Sequence, residues 1–180
     1  MIRNKILRGI LDGKEERVKL QKDILRKYKN TLISFTLNIP GINKRSDKFK
    51  KAFDLGISKI EKTLNLHNVK IVYVTTCDNM AGYIFFCSVQ ADALFIKMLM
   101  MNIENESKIG RLFDIDVFNE KKELLSRSNF KIAKRKCLVC DRDAVICSRS
   151  RAHHILSVLS VINKIIDESL EEEVKNELYT

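Results

Sequence analysis

Asp114-Ile115-Asp116 places two carboxylates two residues apart inside an apolar stretch, Gly110-Arg111-Leu112-Phe113-Asp114-Ile115-Asp116-Val117. Residues i and i+2 of a strand point to one face, so Asp114 and Asp116 project together and Ile115 projects away. Two carboxylates at that spacing repel unless water covers them or a cation sits between them. A hard, oxygen-liking cation such as Mg²⁺, held by one or two carboxylates and by substrate phosphates, answers that pattern. An exposed strand edge or turn would carry the same tripeptide with no chemistry attached.

A second group of reactive side chains follows. Cys137, Cys140, Cys147 and His153 have the spacing C-x2-C-x6-C-x5-H. Three thiolates and an imidazole form a standard shell for structural Zn²⁺. Arg135, Lys136 and Arg142 flank the pair and favour the thiolate form. The same residues also suit a redox-sensitive thiol pair, or ordinary buried cysteines in a reduced protein.

Charge is distributed unevenly. The net charge is +10, and Lys121 to Arg151 holds ten Lys or Arg against three acids. After Ile166 the sign reverses, with Asp167, Glu168, Glu171, Glu172, Glu173 and Glu177 against Lys175. A basic segment of this kind calls for a polyanionic ligand or an acidic partner. Arg111, Arg127, Arg149 and Arg151 are candidate phosphate ligands, because the guanidinium fork matches phosphate oxygens. Ser148-Arg149-Ser150-Arg151-Ala152-His153 leads into a helical pattern, and a helix beginning near Ser150 would add its N-terminal N–H groups to an anion site. Nucleic acid is another polyanion, but Phe130 is the sole aromatic residue between Lys121 and Arg151, where a nucleic-acid surface would interleave several.

These residues need a scaffold. A chain of 180 residues with 45% hydrophobic content can bury a sizeable core. No apolar run is long enough to span a bilayer, and Met1-Ile2-Arg3-Asn4-Lys5 has no apolar signal core behind it. Five cysteines then point to a reducing, cytoplasmic setting. Helical spacing runs over Ile2–Leu11 and Lys14–Lys29, with a break or kink expected at Asp12-Gly13. Leu32–Leu37 reads as a strand, and Asn38-Ile39-Pro40-Gly41 as a loop. Ser46 can cap a helix carrying Phe49, Phe53, Ile57, Ile60 and Leu64. Val69–Thr75 and Gly82–Val89 read as paired strands with turn chemistry at Asp78-Asn79. Ala91–Asn102 reads as a buried helix, Arg111–Phe118 as a strand, Glu123–Ser126 as a short return strand, and Ala152–Leu170 as a long helix. The order β-α-β-β-α-β predicts an α+β fold. Its mixed, mostly antiparallel sheet would be nucleotidyltransferase- or palm-like, with flanking N- and C-terminal helices. Asp114 and Asp116 would sit on the last core strand. One domain is expected, comprising a helical segment (1–30), an α/β core (31–127) and a Cys/Arg-rich segment with the last helix (128–180).

Taken together, three motifs resemble holo-citrate-lyase synthase, the apo-citrate lyase phosphoribosyl-dephospho-CoA transferase family. They are Ser34-Phe35-Thr36-Leu37-Asn38-Ile39-Pro40-Gly41, the Gly110–Val117 run followed by Arg127, and Arg135–Cys140 with Cys147–His153. The resemblance spans Ile33 to Ile165. It implies a donor, 2'-(5''-triphosphoribosyl)-3'-dephospho-CoA, and an acceptor serine on the apo acyl carrier (gamma) subunit of citrate lyase. It also implies a phosphodiester product, with pyrophosphate as leaving group. Asp114 and Asp116 would hold Mg²⁺, and a carboxylate or His153 would take the serine proton. Neither nucleic acid nor a membrane is expected as partner. Where the family usually has His-Pro-Leu ahead of Gly-Arg-Leu, this chain has Ser107-Lys108-Ile109. A nucleic-acid-binding module, a zinc-knuckle or redox regulator, and a related transferase for a malonate decarboxylase carrier are the competing readings.

Overall fold

The computed structural model describes residues 2–130 and 135–178. The chain divides into two compact units, Met1–Asn38 with Ile42–Leu125, and Ile39–Gly41 with Ser126–Thr180.

The first unit is built on a four-stranded sheet. Its elements are α1 (Ile2–Tyr28), β1 (Thr31–Leu37), α2 (Asp47–Leu66), β2 (Lys70–Asn79), β3 (Gly82–Gln90), α3 (Ala93–Glu106) and β4 (Phe113–Phe118). The strand order is β2-β3-β1-β4, and every ladder is antiparallel. This is the βαββαβ α+β arrangement expected from the element order.

Alternation along the strands gives the sheet two different faces. Phe35, Phe113 and Ile115 point to the side of α2, where Phe35 stacks on Phe53 at 5.1 Å between ring centroids. Gly56 is required there, since a Cβ would lie 2.3 Å from Phe35 Cζ. The opposite face carries Leu32, Ile84, Phe86 and Phe118, covered by Leu20, Ile24, Leu25 and Tyr28 of α1.

Helix α1 is continuous through Asp12-Gly13, contrary to the expected break. Gly13 instead permits a close approach. The Asn79 side-chain amide donates to Gly13 O (3.0 Å), and a Cβ on residue 13 would fall 2.4 Å from Asn79 Oδ1. Asn79 Oδ1 also accepts from the Ala81 N–H (2.9 Å), so the β2–β3 turn lies at Met80-Ala81, later than Asp78-Asn79.

Strand β4 lies at the sheet edge, where its outer backbone groups need partners. Two charged side chains of α3 supply them. Lys97 Nζ donates to Ile115 O (2.8 Å), and the Ile115 N–H donates to Glu104 Oε1 (3.0 Å). Both side chains are buried, at 4% and 3% exposure. The short strand expected at Glu123–Ser126 is a single bridge, Phe118 with Leu124, because the polar turn before it leaves one pair in register.

The second unit contains a 3-10 turn (Arg127–Phe130), α4 (Ala144–Ser150) and α5 (Ile155–Leu178). Helix α4 is short and lacks apolar periodicity, so only its cap, Asp143 accepting from the Val145 N–H, signals it. Helix α5 starts at Ile155, not near Ser150, which removes Arg149 and Arg151 from its N-terminus. On α5, Ile162 and Ile166 are buried while Leu156 stays exposed.

The β4 clamp makes a direct prediction. Lys97→Met should lower stability by about 2–3 kcal/mol, the loss of a buried charge-assisted hydrogen bond. A urea midpoint unchanged from wild type would contradict it.

Candidate active site and a cysteine–histidine cluster

The register of β4 against β1 pairs Asp114 with Thr36 and Asp116 with Ser34. The two carboxylates therefore share the α1 side of the sheet with Ser34 and Thr36. Asp114 is exposed and Asp116 is half-buried, while Ser34 is buried. Burial first, and the Asp114 charge second, hold the Asp116 carboxyl above the usual carboxylate range. Lys97 and Arg17 pull against that rise, and Glu104 adds to it. A cation shared by the two carboxylates would relieve the repulsion, which gives this face its chemical capacity.

Upstream, Ser107-Lys108-Ile109 turns the chain from α3 into β4. Ser107 Oγ accepts from the Gly110 N–H (3.3 Å), and Ile109 is buried. Gly110 is needed because a Cβ would meet Ile103 O at 2.3 Å. Arg111 is exposed in the 3-10 turn Ile109–Leu112. The Asn38 N–H, just after β1, donates to Leu112 O (2.8 Å).

The cysteine–histidine group belongs to the second unit. Its four ligand atoms, from Cys137, Cys140, Cys147 and His153, lie within 4.8 Å of one another. Cys140 Sγ is 3.6 Å from Cys147 Sγ and 3.3 Å from His153 Nε2. A short antiparallel pairing builds the knuckle: the Cys137 N–H donates to Arg142 O, and the Ala144 N–H donates to Arg135 O. The Val139 N–H points back at Cys137 Sγ (3.4 Å). Helix α4 then brings in Cys147, and the left-handed Arg151 (φ 50°) reverses the chain toward His153.

Hydrogen bonds from Arg142, backbone first and side chain second, draw the Cys140 thiol down to about 6. Burial, then contact with Cys140 and Cys137, pushes Cys147 up to about 11. The cluster thus includes a thiol with a lowered pKa, and the thiolate is the form that binds a metal. The Cys/His group can hold a metal ion.

Of the residues singled out from sequence, Asp114 and Asp116 come together on one strand, with Arg111 in the turn ahead of it. Cys137, Cys140, Cys147 and His153 converge on one another. Arg149 and Arg151 are exposed on and just after α4, and Arg127 stands in its own 3-10 turn. Lys97, Glu104 and Arg17 do not stand out in the sequence. The available signal was that Lys97 and Glu104 stand seven residues apart, two turns along one face of a largely apolar helix.

Comparison with known proteins identifies the lineage. The model of the apo-citrate lyase phosphoribosyl-dephospho-CoA transferase family matches residues 5–169, nearly the whole chain. The chain belongs to this family. It is 35% identical over 157 residues to a probable apo-citrate lyase phosphoribosyl-dephospho-CoA transferase of Vibrio cholerae, covering 87% of this chain and 88% of that protein. A Streptococcus pyogenes protein of the same description is 32% identical over 164 residues, covering 89% and 84%. A longer protein, CitXG of Haemophilus influenzae, matches 88% of this chain with 34% of its own length, at 31% identity.

The raised Asp116 carboxyl has a testable consequence. A folded state that binds this proton more tightly than the unfolded chain loses stability as pH climbs through the folded value. At neutral pH and in the presence of chelator, Asp116→Asn should therefore melt at a higher temperature than wild type. A variant that melts lower in chelator would contradict the assignment of strain to this pair.

Proposed function

We propose that the chain transfers the phosphoribosyl-dephospho-CoA group from 2'-(5''-triphosphoribosyl)-3'-dephospho-CoA to a serine of the citrate lyase acyl carrier subunit. The serine oxygen bonds to the phosphorus nearest the ribose, the bond to the next phosphate breaks, and pyrophosphate leaves. Family membership supports the substrate pair. The observation that carries the chemistry is the shared face of Asp114 and Asp116.

Asp114 and Asp116 are the residues that would hold Mg²⁺, a hard cation suited to two carboxylates and phosphate oxygens. When bound, the metal neutralises charge on the transferring phosphoryl group and the leaving pyrophosphate. Arg111 supplies a guanidinium in the turn leading into the same strand. Arg127, Arg149 and Arg151 remain phosphate ligands on the strength of charge and residue type. The basic residues of Lys121–Arg151 would also steer an acidic carrier surface toward the enzyme. Five free cysteines support a cytoplasmic setting. Among the described residues, no helix is long and apolar enough to cross a membrane.

We assign the cysteine–histidine cluster to Zn²⁺. Tetrahedral coordination at Zn–S of about 2.3 Å sets neighbouring sulfurs about 3.8 Å apart. The 3.6 Å between Cys140 and Cys147 fits that shell. The buried apolar side chains described in this unit are few: Ile39, Cys147, Ile162 and Ile166. A metal would supply cohesion that so small a core does not. On this reading His153 is a zinc ligand, and the serine proton goes to a carboxylate.

Intact-mass spectrometry of apo carrier subunit incubated with donor, Mg²⁺ and this protein tests the reaction. The expected result is a mass gain of one phosphoribosyl-dephospho-CoA group with pyrophosphate release. Folded Asp114→Asn should show a loss on the order of 100-fold or more. Full activity in that variant would remove the metal from Asp114. Elemental analysis should find one Zn per chain in wild type and none in a Cys140→Ser/Cys147→Ser variant; zinc-free, fully active wild type would eliminate the zinc site.

A further inference from the structure

We propose that Arg17 of α1 is a substrate-binding residue that contacts the polyphosphate of the donor at the carboxylate pair. The proposal rests on the reading of Asp114 and Asp116 as a Mg²⁺–phosphate site.

Arg17 precedes Leu20 by three positions and Ile24 by seven, so it continues the helix stripe that α1 lays on the sheet. That stripe covers the face of Leu32, Ile84, Phe86 and Phe118. Counting by twos along the strands, the same face bears Ser34 and Thr36 from β1 and Asp114 and Asp116 from β4. Toward Tyr28 the interface is apolar. At Arg17 the stripe meets the polar side of the sheet, and the guanidinium charge acts on Asp116.

Arg17 is half-buried. Its Nε lies out of reach of water and has no hydrogen-bond partner among the described residues. A buried guanidinium N–H without an acceptor is uncommon, because desolvation is then uncompensated. A side chain present only to neutralise Asp116 would be expected to spend that donor on a carboxylate oxygen. An open N–H on the helix stripe that covers the Asp114/Asp116 face instead suits a ligand with its own acceptor oxygens and a cation to bridge it to the acids. A polyphosphate carrying Mg²⁺ meets both requirements. The planar fork can grip two phosphate oxygens with parallel hydrogen bonds, a fixed geometry that a lysine ammonium lacks.

Isothermal titration of the full-length protein with inorganic tripolyphosphate, with and without Mg²⁺, tests this. Wild type should bind in a Mg²⁺-dependent manner, and Asp114→Asn should lose that dependence. Arg17→Gln should bind roughly 10-fold or more weakly, the scale of a lost charge-assisted hydrogen bond, and should still respond to Mg²⁺. Arg17→Lys should recover part of the affinity through charge alone. With the natural donor, the loss in Arg17→Gln should fall on KM more than on kcat. Arg17→Gln that melts early yet binds tripolyphosphate like wild type at a temperature where it is folded would make Arg17 structural and overturn the proposal. If Arg17→Gln fails to fold, Arg17→Lys decides, and wild-type affinity in that variant overturns the fork contact. Absence of Mg²⁺-dependent binding in wild type would overturn the carboxylate-pair reading as well. Intact dependence with an unchanged Arg17→Gln removes Arg17 alone.

Discussion

Both backbone polar groups of Ile115 are held by side chains of one helix, and the candidate active site depends on that grip. An edge strand has one free side, and a strand free to slide by one residue exchanges its faces. A slip of β4 would send Asp114 and Asp116 to the α2 side, against Phe35 and Phe53. Lys97 and Glu104 fix β4 from outside while β1 fixes it from inside. The buried charges on α3 thus hold the register that keeps two carboxylates aligned on the α1 face. Their own burial is tolerable because each meets a backbone partner on an otherwise open edge.

The α1 face shows how one interface can be apolar at one end and reactive at the other. Leu20, Ile24, Leu25 and Tyr28 anchor α1, and the stacking of Tyr28 on Tyr73 (4.7 Å between centroids) extends the contact to β2. With the helix anchored there, the backbone of Arg17 is held on this face, and its charge acts on Asp116. Preorganised cations and a strained carboxylate pair are the features expected of phosphoryl-transfer chemistry, where positioning and charge neutralisation do most of the catalytic work. The second unit solves a different problem. Beside its small buried core, four side chains able to ligate a metal are brought within 4.8 Å of one another by a knuckle, a one-turn-plus helix and a left-handed residue.

Much of this was legible in the residues. Alternation and turn chemistry gave the four core strands, and the C-x2-C-x6-C-x5-H spacing picked out the four side chains that converge. The misreading at Asp12-Gly13 and the omissions beside it have physical causes. Asp12-Gly13 reads as a helix break by composition, but Gly13 serves the approach of Asn79 from the β2–β3 turn, a contact across more than sixty positions of chain. Helix α4 carries no apolar period and is set by a cap and by Cys147, so periodicity passes over it. Lys97 and Glu104 are charged, which argues for solvent, yet their partners are backbone groups of a strand edge that exists only once the sheet has formed. Arg17 was hidden for the same reason, since its meaning comes from the sheet face beneath it.

The central claim is that Asp114 and Asp116 together hold a divalent cation that binds the donor's phosphates. Anomalous diffraction from crystals grown with Mn²⁺, in place of Mg²⁺, and inorganic tripolyphosphate addresses it most directly. The account predicts a manganese peak within coordination distance of both carboxylates and of a phosphate oxygen. Bound tripolyphosphate with manganese absent from the carboxylate pair, or manganese there with the phosphates bound elsewhere, would contradict it.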